Sequence, residues 1–236
     1  MISFIVPAYN EELLIGRTLT ALHAAARETG EQYEIVVVDD GSTDATAEVA
    51  VEHGARVVRV QHRQIASTRN AGARAAAGDI LMFVDADTIV TSATLGAALA
   101  ALRAGAVAGG ASLRLDGRIP WHGRVLLLVI RAGMRLGRLA AGCYVFCTRE
   151  AFEAAGGFDE GLFASEEIAL SRALARHGRV VILRETVLSS GRKLRTHSAW
   201  EILQMMSAVV RQGPQALRSR ERLGLWYGSR RSDPEP

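Results

Sequence analysis

The stretch that most constrains this chain is Asp79–Thr91, D-I-L-M-F-V-D-A-D-T-I-V-T. Ile80 to Val84 is an unbroken apolar run, β-branched and aromatic, preceded by Gly78. It reads as a strand buried on both faces, of the kind found inside a parallel sheet. Directly at its C-terminal end stand Asp85 and Asp87, with only Ala86 between them. Open α/β folds bind ligands along that edge of the sheet. Two such carboxylates repel unless something positive sits between them. Mg²⁺ or Mn²⁺, held by one or two carboxylates and by substrate phosphates, answers that need. Solvated turn acids capping the next helix are the competing reading, and D-x-D alone does not choose.

Taken in order, the chain alternates strand and helix. Ile2–Val6 is a strand ending at Pro7, and Asn10 can cap a helix running through Leu13, Leu14, Leu19 and Leu22 to Gly30. Glu34–Val38 is the next strand and leads into Asp39-Asp40-Gly41-Ser42-Thr43-Asp44. A helix over Ala45–His53, a strand over Val57–Val60 and an Ala-rich helix over Ser67–Ala77 follow. Such alternation predicts an α/β fold with a mostly parallel sheet flanked by helices. Polar residues gather after each strand, at Tyr9 to Glu11, Asp39 to Asp44 and Asp85 to Asp87. All three clusters would then lie along one sheet edge, which favours a real site over three separate turns.

At 236 residues the chain suits one large domain with a C-terminal appendage. Its 49% hydrophobic and 22% charged residues are those of a globular protein. The net charge is a modest +3, and no nucleic-acid partner is expected. Of the 28 basic residues all but Lys193 are arginine, a bias that genome composition explains as well as phosphate binding does. Cys143 and Cys147 make no disulfide framework and read as small core residues in a reducing compartment. The start, M-I-S-F-I-V-P, has no basic n-region, and no uncharged run reaches the roughly 18–20 residues of a membrane span. The expected location is the cytoplasm, with the inner face of the membrane left open.

Four segments, I-V-P-A-Y-N-E-E, I-V-V-V-D-D-G-S-T-D, A-S-T-R-N-A-G and F-V-D-A-D, occur in this order. Together they resemble family 2 glycosyltransferases of GT-A (Rossmann-like) fold over about residues 2 to 200. The resemblance implies that the N-terminal half binds a nucleotide-diphosphate sugar, UDP- or GDP-linked. It places Pro7, Tyr9 and Glu11 beside the nucleotide, Asp40 with Asp39 at its base, and Arg69 and Asn70 nearby. Asp85 and Asp87 become the metal-binding pair. Further on, G-G-F-D-E at Gly156–Glu160 and the acidic pair Glu166-Glu167 resemble the family's catalytic segment. Where the family usually has Glu-Asp, this chain has Glu-Glu, and by register Glu167 takes the general-base position, with Glu166 as the alternative. A helix N-terminus that welcomes acids is the plain reading of the same pair.

Ser189 to His197 joins a strand to a helix whose capping box is Ser198 and Glu201. Arg192, Lys193 and Arg195 suit a loop that closes over a diphosphate. By analogy with other GT-A enzymes, His197 would be a third metal ligand. Residues 1–213 would form the GT-A domain, with 1–91 as its nucleotide half and 92–213 as its acceptor and catalytic half. A C-terminal helical extension and a basic tail, 214–236, complete the chain.

Between Gly123 and Cys147, Arg124, Arg131, Arg135 and Arg138 fall within a roughly 60° arc at 100° per residue. Most of the remaining circumference is apolar. Such a helix either packs in the core or an oligomer interface with one wet stripe, or lies in a membrane interface. The second choice, through 123–139 and the basic tail, would suit a lipid-linked acceptor. The expectation is a metal-dependent glycosyltransferase, and the family resemblance implies that it is inverting. A sugar-phosphate nucleotidyltransferase and a non-catalytic nucleotide-sugar-binding module are the alternatives. The former would open with a Gly-rich basic loop where this chain has Pro7-Ala8-Tyr9-Asn10.

Overall fold

In the computed structural model of the chain, the described residues are 1–117, 124, 127–128, 132–134, 136–137, 139–196 and 218. Strand β1 (Ile2–Ala8) is buried at every residue. It pairs in parallel with β2 (Tyr33–Asp39) on one side and with β4 (Ile80–Val84) on the other. Beyond β2 lies β3 (Arg56–Arg59), also parallel. These four strands are the ones read from the apolar runs.

The second half enters the sheet the other way. β7 (Tyr144–Thr148) runs antiparallel to β4 and to β6 (Ala106–Leu115), and β8 (Arg179–Ser189) runs parallel to β6. The short β5 (Thr88–Ile89) pairs antiparallel with β8, which closes the order β3-β2-β1-β4-β7-β6-β8-β5. The sheet is therefore mixed, with its parallel half formed by the alternating N-terminal segment.

Successive strand residues point to opposite faces, and the core divides accordingly. Phe4, Val6, Val37 and Met82 pack under α1 (Ile15–Thr29) and α4 (Ser92–Arg103). Ile5, Val36, Val38, Leu81 and Phe83 face the other way, with residues of α3 (Ile65–Ala75), α5 (Arg149–Ala154) and α6 (Glu166–Leu174) in the same cluster. A Cβ on Gly72 of α3 would lie 2.3 Å from Ile5 Cγ2 and 2.8 Å from Val38 Cγ2. Only glycine lets α3 approach the sheet this closely, and that approach delivers its polar side chains to the sheet edge.

Two local expectations shift. Asn10 does not cap α1, which begins at Ile15. Its backbone is left-handed (φ 50°), and its Oδ1 accepts from the Thr43 N–H at 2.8 Å. Asn10 thus ties the loop after β1 to the loop after β2. Ser42 accepts the Asn10 N–H, and before α2 (Thr46–Glu52) the Asp44 carboxylate takes the Thr46 N–H. Helix α3 starts two residues earlier than Ser67. The Asp40 carboxylate accepts the N–H groups of Arg63 at 2.8 Å and Gln64 at 3.1 Å, which gives the helix an N-terminal anchor from outside its own segment.

Candidate active site

Helix α3 is the centre of the site. Ser67, Thr68, Arg69 and Asn70 are four consecutive polar residues, all buried. They span more than a full helical turn, so no face of this turn is left to solvent. Each finds its partner in another part of the chain. Thr68 Oγ1 donates to Asp40 at 2.8 Å. Ser67 and Asn70 donate to the Glu160 carboxylate at 2.9 and 2.8 Å, and these bonds hold Glu160 below the usual carboxylate range. The Asn70 amide also donates to the Phe158 carbonyl and accepts the Phe158 N–H. Gln64 reaches the carbonyls of Glu160 and Leu162. The segment G-G-F-D-E is thereby fastened to the N-terminal half.

Arg69 makes the decisive contacts. Its Nη2 donates to Asp85 Oδ1 and to the Gly142 carbonyl, both at 2.8 Å, and its Nη1 donates to Glu166 Oε1 at 2.7 Å. Burial works against its charge, but Asp85, Glu166 and Glu167 outweigh that cost and keep the guanidinium charged. The two acidic pairs, 81 residues apart in sequence from Asp85 to Glu166, thus meet across one cation.

Asp85 and Asp87 flank the turn between β4 and β5, where the Thr88 N–H donates to the Asp85 carbonyl at 3.0 Å. Ser189 Oγ at the end of β8 donates to Asp87 Oδ1 at 3.0 Å. Both carboxylates are hard oxygen donors at one turn. They supply the one or two protein ligands that Mg²⁺ or Mn²⁺ takes when phosphate oxygens complete its shell, so the residues fit such an ion. Among the described residues, no three His, Cys, Asp or Glu side chains group as a metal cage. His197 lies outside the described residues.

Glu166 and Glu167 open α6, after Ser165 in a left-handed conformation (φ 62°). For a non-glycine residue this is a strained position of the kind that clusters at functional sites. Glu166 is buried in its ion pair, whereas Glu167 is half-buried. Burial and then the Glu166 charge push the Glu167 carboxyl up to about 7, against the pull of Arg69.

At the end of β2, Asp39 borders a cavity of about 580 Å³ with Gly41, Ser42, Asp44, Arg59 and Gln61. Asp39 Oδ1 accepts the Ser42 N–H, and Asp40 turns instead toward the start of α3. Pro7 lies within β1. The Arg63 guanidinium carbon sits 3.4 Å from the centre of the Tyr9 ring, and Arg63 too has a left-handed backbone (φ 51°).

The basic segment folds as α7 (Arg192–Thr196). Arg192 pairs with Glu11, and Arg195 with Asp116 at 3.2 Å. The Lys193 side chain, Ser198 and Glu201 lie outside the described residues, as do Arg131, Arg135 and Arg138. Of the residues given no role of their own from sequence, Gln64, Ser67, Thr68, Glu160 and Ser189 matter most. The run of four polar residues Ser67–Asn70 was the available signal for Ser67 and Thr68.

Residues 3–147 match the model of the family described as Glycosyl transferase family 2. Among curated relatives, validoxylamine A glucosyltransferase of Streptomyces hygroscopicus subsp. limoneus is 39% identical over 94 residues, 36% of this chain and 20% of that protein. Undecaprenyl-phosphate 4-deoxy-4-formamido-L-arabinose transferase of Edwardsiella ictaluri is 39% identical over 97 residues, 36% of this chain and 29% of that protein. The matched stretch therefore spans less than a third of either relative. A mannosyltransferase from Pyrobaculum calidifontis, solved with GDP-Man and Mn²⁺, superposes with a TM-score of 0.68 at 21% identity, covering 96% of this chain and 68% of that one. Glucosyl-3-phosphoglycerate synthase from Mycobacterium tuberculosis, solved with Mn²⁺, UDP and glucosyl-3-phosphoglycerate, gives a TM-score of 0.62 at 22% identity, with 98% and 81% coverage. These likenesses carry the GT-A fold, the family model covers more than half of the chain, and the chain accordingly belongs to glycosyltransferase family 2.

Proposed function

We propose that this chain transfers a sugar from a nucleoside-diphosphate donor to an acceptor hydroxyl, with inversion at the anomeric carbon. The observation that carries this reading is the junction at Arg69, which brings the Asp85/Asp87 turn and the Glu166/Glu167 helix into one site. Asp85 and Asp87 would hold Mg²⁺ or Mn²⁺, which when bound neutralises the donor diphosphate and its leaving group. Glu167 takes the proton of the acceptor hydroxyl as that oxygen bonds to the anomeric carbon. The bond to the diphosphate breaks with its electron pair on the diphosphate. A base whose pKa is raised toward neutrality suits this step, and the anomeric centre passes through oxocarbenium character as in glycoside hydrolysis.

The cavity beside Asp39, with Tyr9 across the neighbouring loop, is the expected seat of the base. Uracil and guanine both present an N–H that a carboxylate can accept. Solved neighbours bind UDP-GlcNAc in one case and GDP-Man in another, so both donor types are to be tried. A lipid-linked acceptor is the reading suggested by the undecaprenyl-phosphate transferases among the relatives. No helix among the described residues is long and apolar enough to cross a membrane.

Nucleotide-dependent thermal stabilisation with and without Mn²⁺ tests this assignment. Ligand at a hundredfold excess over Kd adds about 2.7 kcal/mol, and Asp87→Ala is expected to abolish the Mn²⁺-dependent part and turnover while leaving the fold intact. Full turnover in EDTA would overturn the metal assignment.

A further inference from the structure

A buried arginine frequently meets one carboxylate with a two-pronged fork of parallel N–H groups. Arg69 does not. Its side chain is 3% exposed, and its two Nη groups part between carboxylates of different halves, Asp85 at 2.8 Å and Glu166 at 2.7 Å. Its Nε–H is the buried side-chain polar atom without a hydrogen-bond partner among the described residues. The guanidinium also lies 5.2 Å over the Phe158 ring and donates to the Gly142 carbonyl. This geometry gives up a hydrogen bond that a fork on either carboxylate would make, and in exchange it spans the two.

We infer that Arg69 is a positioning residue that sets the donor-side and base-side carboxylates together. The inference rests on the function proposed above. On the donor side, Arg69 fixes Asp85 through Oδ1 and so orients the other oxygen for the cation, as outer-shell partners of metal ligands do. On the base side, it engages Glu166 as an ion-pair partner. The adjacent Glu167 is then the carboxylate left to meet the acceptor. Gly142 keeps the space between them open: a Cβ there would lie 3.3 Å from Glu167 Cδ and 3.6 Å from Arg69 Nη2.

The experiment compares Arg69→Gln, Arg69→Lys and Glu166→Gln with the parent chain. Calorimetric binding of UDP and GDP is measured with and without Mn²⁺, alongside kcat and KM. Spanning predicts that Arg69→Gln loses about 10- to 100-fold in Mn²⁺-dependent nucleotide affinity, with metal-free nucleotide affinity unchanged, and loses kcat as well. Arg69→Lys, a compact charge that cannot reach both anions in the same way, should regain the Mn²⁺-dependent affinity and not kcat. Glu166→Gln should lose kcat and keep the Mn²⁺-dependent affinity. A folded Arg69→Gln with parent-like Mn²⁺-dependent affinity would overturn the inference. So would an Arg69→Lys that regains both properties, because Arg69 would then be a buried countercharge and nothing more. If Arg69→Gln does not fold, Arg69→Lys decides it: Mn²⁺-dependent affinity kept with kcat lost supports spanning, and both kept overturns it. A parent chain with no Mn²⁺-dependent nucleotide binding would instead remove the donor assignment on which the inference stands.

Discussion

Arg192 and Glu11, 181 positions apart, form an ion pair in which one Nη2 lies 3.1 Å and 3.2 Å from the two carboxylate oxygens. Glu11 lies in the loop after β1 and Arg192 opens α7, so the pair fastens the last described helix to that loop. Both were expected at the nucleotide from sequence, and the structure joins them to each other. A positive group held there by a carboxylate can be shared with a diphosphate without being left exposed beforehand.

Breaking that pair has a defined consequence. Both side chains are largely buried, and a hydrogen bond to a charged group contributes about 1.5–3 kcal/mol. Arg192→Ala is therefore expected to lower unfolding free energy by about 2 kcal/mol in urea titration. Glu11→Gln should lower it by less, and the double variant should cost less than the sum of the two, the signature of direct coupling. Strict additivity would show that the pair contributes nothing to stability.

A second expectation concerns packing. Gly72→Ala places a methyl 2.3 Å from Ile5 Cγ2, a clash with β-branched core atoms rather than with a flexible end. Overpacking of this kind costs about 1–3 kcal/mol. Because α3 carries Arg69 and Asn70, the displaced helix should also lower kcat. Unchanged stability and rate would mean that α3 has more room than its register with the sheet implies.

The N-terminal half was readable because β1, β2 and β4 are largely apolar and each is followed by an acidic loop, whereas β3, R-V-V-R, carries neither signal. Ile80–Val84 emerged as the strand read from sequence, with Asp85 and Asp87 at its end. The second half was less so. β6 reads A-V-A-G-G-A-S-L-R-L, and its strand character is imposed by neighbours rather than by propensity. A Cβ on Gly109 would meet the Val181 carbonyl oxygen at 2.3 Å, and one on Gly110 would meet Ala140 at 2.7 Å. These glycines mark close approach in a packed sheet, which composition alone does not distinguish from a turn. Asp40 shows the same limit at the site. Its neighbours in sequence suggest a ligand contact, but its hydrogen bonds go to residues 23 to 28 positions away.

The arginine-striped segment gives a prediction about surfaces. Leu128 and Leu136 are 70% and 88% exposed, while Met134 packs against the core. Apolar side chains on the outer side of an anchored segment, with the basic tail as a second weak signal, suit reversible contact with an anionic bilayer. Each arginine near such a surface contributes about 1 kcal/mol, screened by salt. Sedimentation with anionic but not neutral vesicles is expected, and Arg131→Glu/Arg135→Glu should abolish it without changing nucleotide binding. Equal behaviour with both vesicle types would assign the segment to a subunit interface and favour a soluble acceptor.

The last expectation uses the opposite signs of one ionisation. The Glu167 carboxyl is raised from 4.5 to about 7 in the folded chain, first by burial and then by Glu166. Between these values the folded state binds more protons than the unfolded state, so this group's contribution to stability is full below about 4.5 and is lost as pH rises toward 7. As a general base the same carboxyl must be ionised, so kcat/KM should rise across the upper part of that window and level off above about 7. Glu167→Gln is expected to flatten the fall in stability between these pH values and to cost about 10²–10⁴-fold in kcat, with donor affinity nearly unchanged. Chemical denaturation and initial rates over the same pH series check both halves. A rate profile that keeps its acidic limb in a residually active Glu167→Gln, or a larger loss of kcat in Glu166→Gln, would transfer the base to Glu166.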